Sequence, residues 1–200
     1  MALNLAQFEW RLARRDDAAD MLEIYNESVD AAGHSPVVKE PVLASMQWLV
    51  SMCGRCGFPI WTLRREGELV AWAMVRAIAW GPEVCARAGD FSVYVAERWQ
   101  GRGVPMLIVR NVYCEVRRHG FDAITCWIFS TNRKSLTVAR AFRMEKWGHL
   151  PCIANIGGLA HDVEIWGIRL DDPKWSAYME LLDIRHKRRQ MRLFGAGMPP

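Results

Sequence analysis

Phe91-Ser92-Val93-Tyr94-Val95 is followed, across Ala96-Glu97-Arg98-Trp99, by Gln100-Gly101-Arg102-Gly103-Val104-Pro105. The first run alternates β-branched and aromatic residues and predicts a strand that starts at Asp90. From Val104 to His119 the pattern changes: Leu107, Ile108, Val112 and Val116 share a helical face, Arg117-Arg118-His119 sit at the negative end, and Gly120 closes it. A strand, a glycine turn and a helix in that order present backbone N–H groups and a positive helix end to an anion. Gly101 and Gly103 let the chain approach a phosphate with no Cβ in the way, and Arg102 can neutralise charge from the rim. A diphosphate suits such a turn. No Gly-Lys-Ser/Thr follows, which excludes a Walker loop, and the third glycine of a dinucleotide-binding turn is missing.

Working outward, Phe8 to Leu12 reads as a short strand running into Arg14-Arg15-Asp16-Asp17. Ala18, Met21, Leu22, Tyr25 and Val29 recur at helical steps, with Gly33 placed to cap them, and Pro41 opens a second helix from Val42 to about Met52. Pro59 to Leu63 and Glu68 to Val75 form a hairpin about Arg64-Arg65-Glu66-Gly67. Beyond the central helix come a buried-type strand, Ala123 to Phe129, and a helix capped by Asn132 that continues through Leu136, Val138, Ala139 and Phe142. Val163 to Leu170 is expected as the last strand, and Pro173 opens a C-terminal helix carrying Trp175, Tyr178, Met179, Leu182 and Ile184. This order predicts a mixed α/β sheet without internal repeats.

Two hundred residues, 51% of them apolar and 24% charged, suffice for one catalytic-size domain, taken as residues 1–170, followed by a C-terminal helix and basic tail at 171–200. No stretch approaches the ~20 apolar residues of a membrane span, and Met1 to Arg11 is too polar for a signal peptide, so a cytoplasmic location is expected. Six cysteines show no paired framework; Cys53-Gly54-Arg55-Cys56 has the gap of a metal or redox pair but lacks a second ligand pair, so no metal is expected. Arg185-His186-Lys187-Arg188-Arg189 and Arg192 concentrate positive charge near the end of a chain whose net charge is only +4. That run suits a helix C-terminus, and it is also the feature through which a nucleic acid would be met. The ten tryptophans, spread without a period, read as core and pocket filling.

Gln100 to Pro105, after a strand and before a long helix, resembles the acyl-CoA pyrophosphate motif of the GNAT superfamily of N-acyltransferases. Arg11-Leu12-Ala13-Arg14-Arg15-Asp16-Asp17, Ile24-Tyr25-Asn26, Ser92-Val93-Tyr94-Val95 and Thr131-Asn132 are similar in order and spacing to the phosphinothricin acetyltransferase group, over about Glu9 to Leu170. The resemblance implies an α/β (α+β) fold with a mixed, mostly antiparallel sheet flanked by helices. It implies acetyl-CoA, or another acyl-CoA, as cofactor, and direct transfer to a primary amine of a small molecule. Val93, Tyr94 and Val95 would lend backbone groups to the pantetheine arm, and Gln100, Gly101, Arg102, Gly103, Val104 and Pro105 would hold the diphosphate. Asn132 and Ser135 match cofactor-binding positions, and Asp90 matches the base that takes the proton of the acceptor ammonium. Similar enzymes dimerise, which makes a homodimer an expectation.

Three positions depart from the pattern. Pro105 stands where the motif ends in Gly or Ala and removes one N–H. Ala139 stands where a Tyr or His would reprotonate the thiolate; Tyr94, His149 or water would have to substitute. Arg143 replaces the glycine after that helix and predicts a different turn and acceptor pocket. Trp80, Arg87, Trp127, His149 and Trp166 are the expected lining of an aromatic, partly basic acceptor cavity. Two other functions compete: a GNAT-like protein acting on or binding nucleic acid through the basic tail, and a non-catalytic interaction module.

Overall fold

A computed structural model describes residues 3–30, 42–55, 58–78 and 83–195. In chain order the elements are β1 (Phe8–Leu12), α1 (Ala18–Asp30), α2 (Leu43–Arg55), β2 (Ile60–Arg65), β3 (Glu68–Ala77), β4 (Ala88–Val95), α3 (Val104–Val116), β5 (Ala123–Phe129), α4 (Arg133–Ala141), β6 (Glu145–Ile156), β7 (Leu159–Arg169) and α5 (Pro173–Phe194). Gly33, Pro41, Cys56 and Trp80 lie outside the described residues.

The strands form one seven-stranded sheet in the order β1-β2-β3-β4-β5-β7-β6. Every pairing is antiparallel except β4 with β5, which is parallel. The mixed, mostly antiparallel α/β fold expected from the sequence is therefore present. On β3 the run Leu69 to Ala73 is buried on both faces, because helices cover both sides of the sheet centre. Trp72 and Tyr94 project to one side, where Tyr25 of α1 packs on both rings and the Trp72 indole donates to Met21 O. By the period of two, Ala71, Ala73 and Val75 project to the other side, against α3.

The C-terminal helix is packed over α3. The Trp175 indole donates to Phe142 O at 3.0 Å and its ring meets Tyr113 edge-on, while Arg110 of α3 pairs with Asp183. The basic run at 185–192 therefore belongs to a docked helix.

One strand, β6, has no counterpart in the sequence reading. It lies at the sheet edge, most of its residues are exposed, Pro151 interrupts its donors, and its register with β7 shifts twice. An edge strand with these properties carries no apolar alternation to detect.

Candidate active site

The parallel contact between β4 and β5 covers only Ala88–Asp90 against Ala123–Thr125. Beyond Asp90 the two strands part, so Phe91 to Val95 pairs with β3 alone and its other edge is open. Antiparallel pairing decides which groups face that gap. Ile78 N–H donates to Ala88 O and Ala96 N–H donates to Val70 O, so the even-numbered residues of β4 direct their main chain at β3. The odd-numbered ones turn theirs toward β5: Gly89 O accepts from the Thr125 hydroxyl, and Val95 O accepts from the Gln100 side chain. Phe91 and Val93, with the Val95 N–H, are thus open to a ligand lying along β4. This separates Tyr94 from Val93 and Val95; its main chain serves β3 and only its ring remains available.

The turn at the outer end of this gap is built on two left-handed glycines. Gly101 and Gly103 take φ of +70° and +88°, and a Cβ on either would meet nothing within 4 Å. Their requirement is conformational, and the space over them is open. Gly103 is the N-cap of α3, Pro105 is its second residue, and the first N–H taken by the main chain is that of Leu107, to Gly103 O. Pro105 therefore removes a group that would have no main-chain partner, and the Val104 and Met106 N–H groups remain. Arg102 lies over the Trp99 ring at 5.7 Å.

The Gln100 side chain bridges instead of facing the turn. It donates to Val95 O at 3.3 Å and accepts from Lys134 Nζ at 2.9 Å. Lys134 was not singled out in the sequence, yet α4 begins Arg133-Lys134 with no acidic residue in its first turn. Cations at a helix N-terminus are disfavoured unless an anion joins them, and that was the available signal. Asn132 is buried and caps α4 by accepting the Ser135 N–H at 3.1 Å. The first turns of α3 and α4 thus converge beside the gap.

Asp90 stands where β4 and β5 separate. It faces Arg76 across the β3–β4 pair, with Nη2 to carboxylate 3.1 Å and side-chain exposures of 59% for Arg76 and 17% for Asp90. Burial raises the Asp90 carboxyl above its ordinary value and Arg76 only partly opposes this, which suits a base. Ser92 and Tyr94 share its face of the strand. The Tyr94 phenol, packed on Trp72 and Tyr25, is pushed upward by burial and stays protonated. Ala139 is buried in the core.

Arg143 corrects the expected change of turn. It adopts φ +55°, the left-handed conformation a glycine favours, with Arg143 N–H bonded to Arg140 O and Met144 N–H to Ala139 O. These two bonds close a Schellman motif. The guanidinium lies 3.9 Å from the Tyr178 ring centroid, an attraction that offsets part of the left-handed strain.

The residues expected around the acceptor are dispersed. Arg87 precedes β4 at the closed end of the β4–β5 pair and is spent on Asp122 at the surface. His149 is on the β6–β7 hairpin, held by Asp162 at 2.9 Å. Trp127 is 53% exposed on β5, and Trp166 is buried on β7, its indole bonded to Glu164. Among the described residues no cluster of His, Cys, Asp or Glu has the form of a metal site.

Residues 19–142 match the acetyltransferase (GNAT) family. A Bacillus subtilis (strain 168) protein named "Putative phosphinothricin acetyltransferase YwnH" is 25% identical over 165 residues, 80% of this chain and 98% of that protein. Among solved structures, an N-acetyltransferase from Staphylococcus aureus Mu50 superposes with a TM-score of 0.78 at 18% identity, over 82% of this chain and 99% of the other. A GNAT superfamily phosphinothricin acetyltransferase from Sinorhizobium meliloti, in complex with AcCoA, gives 0.76 at 20% identity, over 82% and 88%. With its splayed β4–β5 pair and glycine turn before α3, the chain belongs to the acetyltransferase (GNAT) family.

Proposed function

We propose that this protein is an acetyl-CoA-dependent N-acetyltransferase that passes its acyl group directly to the primary amine of a small molecule. The observation that carries the proposal is the alignment of three features along one strand edge: Asp90 where the strands part, open main-chain groups at Phe91, Val93 and Val95, and the glycine turn. Asp90 to Val95 spans about 17 Å at 3.3 Å per residue. A ligand anchored by its phosphates at the turn reaches Asp90 only through a long linear arm, which an acyl-CoA has. When bound, it supplies an acyl thioester whose C–S bond is exchanged for an N–C bond to the acceptor.

The chain's own groups do the rest. Val104 and Met106 N–H, Arg102 and Lys134 supply positive charge for the diphosphate, and Val93 and Val95 pair with the arm as an added strand would. Asp90 takes the proton of the acceptor ammonium, its raised affinity for protons bringing it nearer to the amine's. The Tyr94 hydroxyl is a protonated donor on the same face of β4. The amine class is supported by the name of the Bacillus subtilis relative.

Calorimetric titration with acetyl-CoA and CoA tests the reading. Micromolar binding that is lost in Gly103→Glu, followed by thiol release on a panel of primary amines, is the expected result. Absence of binding by the native chain rejects the proposal.

A further inference from the structure

The C-terminal helix turns one side to the body of the protein and leaves the other in water. Trp175, Met179, Leu182, His186 and Gln190 recur at helical steps on the docked side, where Trp175 and Gln190 are buried and Met179 and Leu182 pack against the core. Gln190 accepts the Leu5 N–H at 3.2 Å and donates to Leu3 O at 2.8 Å, so the end of α5 is held as well as its start. Opposite these residues, Leu181, Ile184, Arg188 and Met191 recur at steps of three and four along the outer side. Leu181, Ile184 and Met191 are 44%, 46% and 52% exposed, and Leu193 and Phe194 at the helix end are exposed as well.

Arginines stand on this apolar stripe and beside it. Between Ile184 and Phe194 the helix carries Arg185, Lys187, Arg188, Arg189 and Arg192 and no carboxylate. Asp183, the last acidic residue of the helix, is shared by Arg110 and Lys187. Arg185, Arg188 and Arg192 are exposed and, among the described residues, take part in no ion pair. The helix dipole favours cations within the last turn, where Arg192 lies. It gives no reason for Arg185 and Arg188 further back, nor for large apolar side chains left in water among them.

Three partners would meet this face differently. A second copy would set the same arginines against one another. A nucleic acid would pair with the arginines and leave Leu181, Ile184 and Met191 in water. An anionic lipid surface suits both kinds of residue: apolar side chains enter the boundary between headgroups and acyl chains, and arginine stems lie along them with the guanidinium groups at the phosphates. The helix is already folded and anchored by its docked side, so binding carries no cost of ordering it. Because α5 lies over α3, on the side of the sheet away from α1, such a contact leaves the face of Asp90 and Tyr94 uncovered.

We propose that the outer side of α5 docks on an anionic phospholipid surface, with Leu181, Ile184 and Met191 entering the headgroup boundary and Arg185, Arg188 and Arg192 pairing with its phosphates. The acyltransferase reading does not depend on this contact.

The test is co-sedimentation of the full chain with vesicles of phosphatidylcholine alone and of phosphatidylcholine and phosphatidylserine in equal parts. Partitioning onto the mixed vesicles is expected to be at least about tenfold stronger, given about fivefold for each Lys or Arg near such a surface. Arg188→Glu combined with Arg192→Glu should abolish that preference. Ile184→Ser combined with Met191→Ser keeps every charge and should still weaken partitioning about tenfold, a loss that a purely electrostatic contact does not show. All four side chains are exposed, so thermal melts of both variants should match the native chain. Equal partitioning onto the two kinds of vesicle, or serine variants that bind as the native chain does, overturns the proposal. A dimer in size-exclusion chromatography that the serine substitutions dissociate also overturns it and assigns the face to a second copy. Double-stranded DNA that displaces the vesicles and still binds the serine variant overturns it in favour of nucleic acid.

Discussion

Replacing Asp17 by asparagine changes one atom and tests how the first helix is fixed to the sheet. The side chain is 3% exposed, and its carboxylate accepts from Arg11 Nη1 and Nη2 at 2.7 and 2.9 Å, from Arg14 N–H at 2.6 Å, and from Arg64 Nε and Nη2 at 3.1 and 2.8 Å. Burial by itself would raise its pKa; Arg11, the Arg14 N–H and Arg64 together lower it from 3.8 to about 2. The difference corresponds to about 2 kcal/mol at 1.36 kcal/mol per unit. Because the folded value is the lower one, this stability is present above pH 3.8 and is lost as the pH falls toward 2. Asp17→Asn should destabilise by about 2–3 kcal/mol at pH 7, measured by urea unfolding. The gap between native and variant chains should then narrow by about 1 kcal/mol between pH 5 and pH 3. A gap that stays constant over that range refutes the argument. The consequence reaches the site, because α1 carries Tyr25 onto Tyr94.

Asp90→Asn should lower kcat by about 10²-fold or more and leave calorimetric CoA affinity unchanged. The active form of Asp90 is deprotonated and its pKa is raised, so the rate should climb with pH above the ordinary carboxylate range. Arg76→Gln removes the opposing cation and should move that limb to higher pH; an unmoved limb would reject Asp90 as the base. Gly103→Ala should cost about 1–2 kcal/mol for its φ alone, with no clash. Gly89→Ala should cost more in the same thermal melts, because its Cβ would lie 2.5 Å from Val75 Cγ1 and 2.9 Å from Ile124 Cδ1 where β4 and β5 join. The reverse order would contradict the packing.

Much of the fold is legible locally. The glycines, the helical apolar face at Leu107, Ile108, Val112 and Val116, and the run Phe91 to Val95 state their conformations through residue chemistry and period. The turn before α3 follows from Gly101 and Gly103, and both take the left-handed φ their identity permits. Arg143 shows the limit of that logic. A non-glycine residue occupies a left-handed position because Met144 and Tyr178 hold it there, a pairing that sequence order does not reveal. The edge strand β6 was hidden for a related reason, since its bonds to β7 carry it without an apolar face.

The amino-acid sequence by itself determined the order of the elements other than β6, the glycine turn and the presence of a carboxylate at Asp90. Only the tertiary structure decided that β4 and β5 part after Asp90, that Val93 and Val95 but not Tyr94 open their main chain to the gap, and that α5 brings His186 and Arg189 to the turn. Local conformation follows from each residue's own sterics. Which hydrogen-bonding groups stay unpaired, and which distant charges meet, depends on the register and packing of elements far apart in the chain.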